Sequence, residues 1–262
     1  MKNMRIAFFD IPSSLPQKAW SPNTWKTRYC LNFKGLPYRT EWIEYPDIEA
    51  HCVAHGIPPT SAKKIPDGRG GMKKVPAYTL PAIHDPATNT YLSNSFDIAR
   101  YLDRTYPNKP HIFPHNTAGV QAPFARAFAL NMEPIFNFLI PEECAVLNPR
   151  SQEYFRRTRK ELFRVERLED LIPKGEKRVT EWAKVKLGLD KTDKWFKEAE
   201  ENNGPFIMGA TPCWADFVVG GYMSWARAVW GEESEEWEDI ASWNDGRWKR
   251  FVEGLKKYEE IK

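Results

Sequence analysis

The stretch Ser21-Pro22-Asn23-Thr24-Trp25-Lys26-Thr27-Arg28-Tyr29 starts with a hydroxyl side chain followed by proline. Serine is a favoured helix N-cap, and proline fits the first helical position because its missing N–H would have no partner there. Trp25, Tyr29 and Phe33 recur at four-residue steps, the spacing of one apolar helix face. Lys34-Gly35 supplies a C-terminal stop. Upstream, Arg5-Ile6-Ala7-Phe8-Phe9 reads as a short apolar strand, with a loop from Pro12 to Trp20. Downstream, Tyr38 to Tyr45 reads as a second strand. Strand, helix, strand in this order predicts a crossover and a parallel pair.

Pro46 to Lys74 is rich in Pro, Gly and Lys, and predicts a short helix near Asp47–His55 followed by a long loop. Val75-Pro76-Ala77-Tyr78-Thr79-Leu80 and Thr90-Tyr91-Leu92 flank the turn-rich His84–Asn89, which predicts a hairpin. Asn94-Ser95-Phe96-Asp97 then begins a helix, with Asn94 or Ser95 as cap and Ile98, Ala99 and Leu102 as its buried stripe. Pro107-Asn108-Lys109-Pro110 is a linker. Beyond Gly119 only helical periodicity is legible, with helices expected at about 119–139 (kinked at Pro134), 151–171, 180–201, 213–230 and 244–258. The expectation is an α/β N-terminal domain, residues 1–107, and an all-α C-terminal domain, residues 119–262.

The bulk numbers fit two compact domains: 262 residues, 42% hydrophobic, 28% charged. A net charge of +3, with acidic and basic residues interleaved as in Arg164–Asp170 and Lys191–Glu201, argues against nucleic acid as a partner. No apolar run approaches a membrane span, and Met1–Pro12 has no signal-peptide pattern. Cys30, Cys52, Cys144 and Cys213 form no CxxC pair and no zinc-like spacing, so no metal is expected and free thiols in a reducing cytoplasm are. Eight of the eleven tryptophans follow residue 180, which loads the second half with flat apolar surface.

The order Val75-Pro76, hairpin, Tyr91-Leu92-Ser93-Asn94-Ser95-Phe96-Asp97-Ile98-Ala99-Arg100-Tyr101-Leu102, proline linker and helical half resembles the cytosolic glutathione transferases over nearly the whole chain, which implies an α/β thioredoxin-like first half and an all-α second half. Trp20 to Tyr29 together with Lys34-Gly35-Leu36-Pro37-Tyr38 is more narrowly similar to the fungal-specific FuA class, related to bacterial β-etherase-type enzymes. The resemblance implies a cis peptide bond before Pro76, with the Val75 backbone offered to the cysteinyl unit of glutathione like an added strand. It implies that Asn94 and Ser95 receive the γ-glutamyl end at a helix N-terminus, with Asn94 standing where many relatives carry Glu or Gln. Lys64 or Lys74 is expected to meet the glycine carboxylate, Lys64 being favoured and Lys73 also in range.

The resemblance places Ser21 where relatives that form mixed disulfides and reduce glutathione adducts carry cysteine. A hydroxyl at the start of a helix dipole lowers a thiol pKa, and the thiolate is the nucleophile. Asn23 is the rival donor, and simple N-capping is the structural alternative for Ser21. Trp25, Phe124, Phe128 and Asn131 are expected to line an aromatic-ligand pocket, although any single phenylalanine there reads first as core. Asp216 is read as a structural cap for the helix after Cys213, and Cys213 as buried. The implied activity is glutathione transfer to small aromatic electrophiles or aryl ethers, a detoxification chemistry, with polyphenolic ligands also bound. The alternative is a mainly non-catalytic, ligandin-type carrier of aromatic compounds. A homodimer is the expected assembly.

Overall fold

A computed structural model describes residues 5–67, 71–198 and 204–262. The first half is built on a four-stranded sheet of order β2-β1-β5-β6. Strands β1 (Ile6–Asp10) and β2 (Tyr38–Trp42) are parallel, joined by α1 (Pro22–Phe33), as the strand–helix–strand reading requires. Gly35 follows α1 at φ +61°, the left-handed stop that glycine provides without steric cost. Strand β5 (Ala82–Asp85) runs antiparallel to β1 and forms a hairpin with β6 (Thr90–Ser93), after which α3 (Ser95–Thr105) begins.

Two expectations change here. The long loop after α2 (Ile48–Ala54) is instead a second, two-stranded ribbon of β3 (Ser61–Pro66) and β4 (Met72–Ala77). Val75-Pro76-Ala77 therefore belongs to this ribbon, and the hairpin partner of β6 is Ala82–Asp85. The reason is burial. Ala82 and Ile83 are fully buried between β1 and β6, whereas the ribbon is lysine-rich and largely exposed. An antiparallel ribbon also tolerates Pro76, because an edge position needs no N–H donor.

Inside the first half, Arg28 of α1 points into the sheet and pairs with Asp10 at 2.6 Å, both side chains fully buried. It also donates to Thr40 and to the Tyr38 hydroxyl, and lies against the rings of Phe8, Trp25 and Trp42. Breaking a buried pair of this kind strands a charge and costs about 3–5 kcal/mol.

The second half comprises α4 (Ala118–Asn131), α5 (Phe136–Val146), α6 (Pro149–Phe163), α7 (Gly175–Lys197), α8 (Trp214–Trp230) and α9 (Glu235–Leu255). The helix expected at 119–139 is broken at the short turn Glu133–Ile135. The one expected at 151–171 stops at Arg164, which adopts left-handed φ/ψ. The last helix starts earlier than expected, at Glu235, and is kinked through Trp243–Gly246. The predicted end of helix 180–201 falls partly outside the described residues. No described helix is long and apolar enough to cross a membrane.

The halves join along α1 and α8. Gly220 and Gly221 let the helices approach closely: a Cβ on Gly221 would lie 2.5 Å from the Pro22 carbonyl oxygen and 3.3 Å from Lys26 Cγ. Tyr29 donates to Glu259 or bonds Ser224 across the same seam, and stacks on Phe217. A second seam docks the β2–α2 connection on α6. There the Tyr45 N–H donates to Ser151, Asn148 donates to Glu44, and Arg150 pairs with Asp47.

Two stability outcomes follow from these seams. In Gly221→Ala, the helix-propensity gain of about 1 kcal/mol meets an overpacking penalty of about 1–3 kcal/mol against rigid backbone, so calorimetry should show a lower melting temperature. At the second seam Glu143 of α5 is buried, and burial pushes its carboxyl up to about 8 against the opposing pull of Arg159 and Trp225. A carboxyl that holds its proton more tightly in the folded state contributes stability below the unfolded pKa of about 4.3, and loses it as pH rises through the folded value. Melting temperature should therefore fall between pH 5 and 8, and fall less in Glu143→Gln.

Candidate functional site

The strand registers gather the candidate residues at one end of the sheet. Phe9 lies opposite Ala82, and Ala82 opposite Ser93. The loop leaving β1 toward Ser21, the residues just before Ala82, and Asn94 just after Ser93 thus converge at the C-terminal end of β1.

Ser21 is the N-cap of α1 by backbone position, with φ −66° and ψ 130°. Its carbonyl accepts from Trp25 N–H at 3.1 Å and from the Thr24 hydroxyl at 3.2 Å. Its side chain makes no capping hydrogen bond. The hydroxyl is therefore available for another acceptor at the positive end of the helix dipole. Asn23, two residues on, is exposed, and its Oδ1 accepts from Lys26 Nζ at 2.9 Å.

Asn94 caps α3. It has φ 73° and ψ 118°, a conformation asparagine tolerates better than most residues, and its Oδ1 accepts from Phe96 N–H at 3.0 Å and Asp97 N–H at 3.5 Å. That oxygen is committed to the cap, so the expectation that it also takes the γ-glutamyl amino group is not supported by its hydrogen bonding. Ser95, half-buried, is the first residue of the helix, where backbone N–H groups point outward. Ser93 Oγ donates to the Pro58 carbonyl at 2.7 Å and anchors this corner.

Among the described residues the cis peptide bond is Leu80–Pro81 and not the bond before Pro76. Val75 and Pro76 lie opposite Lys63 and Ala62 on the ribbon. Leu80 is buried and immediately precedes the central part of the sheet, so it occupies the position that sequence reading gave to Val75. Lys64 and Lys74 face each other across the ribbon, both exposed, and neither has a carboxylate partner among the described residues.

The four expected aromatic-pocket residues are not brought together. Phe124 packs edge-on against Trp195 of α7. Phe128 is fully buried against Tyr222. Asn131 donates to Thr192, also on α7. Trp25 is buried against Tyr29 and borders a cavity of about 350 Å³, together with Gln17, Ser224, Arg227, Glu232 and Glu259. This cavity lies beside the segment Glu259–Ile261, near where Thr40 N–H donates to the Lys262 carbonyl on the β2 edge, whereas Asn94 lies at the opposite, β6 edge.

All four cysteines are buried. Burial pushes the Cys52 thiol up to about 11 and raises Cys30, Cys144 and Cys213 as well. Asp216 accepts from the Cys213 and Ile207 N–H groups, both at 2.9 Å, which is the structural cap expected of it.

Residues 20–105 match the Glutathione S-transferase, N-terminal domain family, and residues 119–258 match the Glutathione S-transferase, C-terminal domain family. The chain is 33% identical to the glutathione S-transferase-like protein ustS of Aspergillus flavus, over 98% of this chain and 93% of that protein. Among solved structures, it is similar to the glutathione S-transferase CsGST63524 of Ceriporiopsis subvermispora, determined with glutathione. The identity there is 43%, the TM-score 0.90, and the coverage 98% of this chain and 99% of that one. Glutathione transferase GSTFuA3 of Phanerochaete chrysosporium aligns at 40% identity and TM-score 0.87, covering 98% of each chain. With a thioredoxin-like half and a helical half joined at α1, and both halves matched, this chain belongs to the glutathione S-transferases and its structural relatives are fungal enzymes of the FuA class.

Proposed function

We propose that this glutathione transferase activates the thiol of glutathione with the Ser21 hydroxyl, assisted by the Asn23 amide, and transfers it to small aromatic electrophiles or aryl ethers. The observation that carries the reading is the free Ser21 side chain: it stands at the N-cap of α1 without capping it. A hydroxyl donor plus the helix dipole stabilises a thiolate relative to a thiol of pKa about 8.5. Glutathione as cosubstrate is supported by the solved complexes of similar fungal enzymes.

The bound tripeptide is proposed to run past Leu80, with its γ-glutamyl carboxylate at the backbone N–H and hydroxyl of Ser95 and its glycine carboxylate near Lys64 or Lys74. The strand-like contact expected of Val75 and Pro76 is thereby assigned five residues further along the chain, to Leu80 and Pro81. Serine in place of cysteine supports transfer over disulfide exchange, since a hydroxyl forms no mixed disulfide. A cytoplasmic setting and a homodimer complete the proposal; exposed Val53 and Met72, beside and on the ribbon, offer apolar surface for a partner subunit.

Turnover of an aromatic electrophile should fall at least about tenfold in Ser21→Ala, with glutathione still raising the melting temperature by mass action. Unchanged turnover in Ser21→Ala with loss in Asn23→Ala would reassign the sulfur donor. Ser21→Cys should gain exchange with glutathione mixed disulfides. Tight binding of polyphenols with no turnover of any electrophile would instead favour the carrier alternative.

A further inference from the structure

Lys26 is one turn into α1, and it is the only described cation that touches a candidate sulfur donor. Its ammonium donates to Asn23 Oδ1 at 2.9 Å. Its stem crosses Gly221, where any side chain would crowd Lys26 Cγ, and its head lies 5.7 Å from the centre of the Tyr222 ring. It has no carboxylate partner among the described residues. A half-buried lysine without a counter-ion is costly to keep, and burial lowers its ammonium to about 8. The titratable group facing it from α8 is Tyr222, whose phenol burial raises to about 12; on α1 its polar neighbour is the uncharged Asn23.

The chemistry of the contact fixes a direction. An asparagine amide has an acceptor end and a donor end, and a lysine ammonium can only donate. With Lys26 holding Oδ1, the Nδ2 end is turned away and free to donate. The polarising cation also makes that amide a stronger donor.

We propose that Lys26 is a positioning residue for thiolate formation: it holds Asn23 so that the amide N–H faces the glutathione sulfur, and it adds positive charge behind that donor. The proposal rests on the reading that Asn23 assists Ser21 at the sulfur. It also gives α8 a part in the chemistry, because the Lys26 side chain packs against Gly221 and Tyr222 of that helix.

The test is the pH titration of the bound glutathione thiolate, followed by its ultraviolet absorbance, in wild type, Lys26→Met, Lys26→Arg, Asn23→Ala and the double variant Asn23→Ala/Lys26→Met. Lys26→Met should raise the thiol pKa by about one unit, cutting the thiolate fraction about tenfold at pH values well below the wild-type thiol pKa. Lys26→Arg should restore it to within about threefold, since guanidinium also donates to Oδ1. In the Asn23→Ala background, Lys26→Met should add less than about threefold. Melting temperature provides the control for folding, and Lys26→Met, which removes a desolvated charge, should melt no lower than wild type.

A depressed thiol pKa in wild type that is unchanged in Lys26→Met overturns the proposal and leaves the serine-based reading standing. An equally large Lys26→Met effect with and without Asn23 overturns the positioning role. Bound glutathione titrating like the free thiol in wild type overturns both the proposal and the reading beneath it.

Discussion

The close approach of α1 to α8 is the contact on which the rest of the molecule depends. Two adjacent glycines, Gly220 and Gly221, remove the side chains that would hold the helices apart. Without that gap Tyr29 could not reach Ser224 and Glu259, and Pro22 could not rest on α8. Helix α1 therefore belongs to both halves. One face covers the sheet through Arg28 and its ring of aromatic side chains, and the other forms the floor of the helical half. The start of α1, where Ser21 and Asn23 stand, is pinned from both sides.

The sheet fixes where chemistry can occur. Parallel β1 and β2 require a crossover helix, and this places the N-terminus of α1 beyond the C-terminal end of β1. The antiparallel hairpin β5–β6 returns a second helix start, that of α3, to the same end. Two helix N-termini, with their positive dipole ends, thus face one corner, an arrangement suited to a ligand carrying a carboxylate and a thiolate. Asp10, at the end of β1, does not take part directly. It is held by Arg28 and by the Ile11 N–H at 2.7 Å, so its charge is consumed in fixing the strand end.

Much of this was legible in the residues. The caps at Ser21 and Asn94, the four-residue apolar steps of α1 and the glycine stop at Gly35 are local signals, and they located α1, α3 and the parallel pair. The β3–β4 ribbon was not legible because it buries almost nothing. Ser61–Pro66 and Met72–Ala77 carry lysines without an apolar alternation. The two X-Pro pairs, Val75-Pro76 and Leu80-Pro81, are alike as dipeptides; only pairing of Ala82–Asp85 into the main sheet separates them. The aromatic pocket failed for a related reason. Periodicity finds the buried face of α4 but not its neighbour, and here α7 takes Phe124 and Asn131. Lys26 read as one more charge in a helix, since its partner surface at Gly221 and Tyr222 lies nearly two hundred residues away in the chain.

The burial of every cysteine has a consequence for an enzyme of this family. A transferase that hands electrophiles to a thiol must not consume them on its own. Thiols enclosed in apolar surroundings stay protonated, and a protonated, enclosed sulfur reacts slowly. Cys30 lies on α1 itself, nine residues from Ser21, yet it faces the core. The fold thereby separates a sulfur that is lent from sulfurs that are kept, and the protein's own cysteines are shielded from electrophiles.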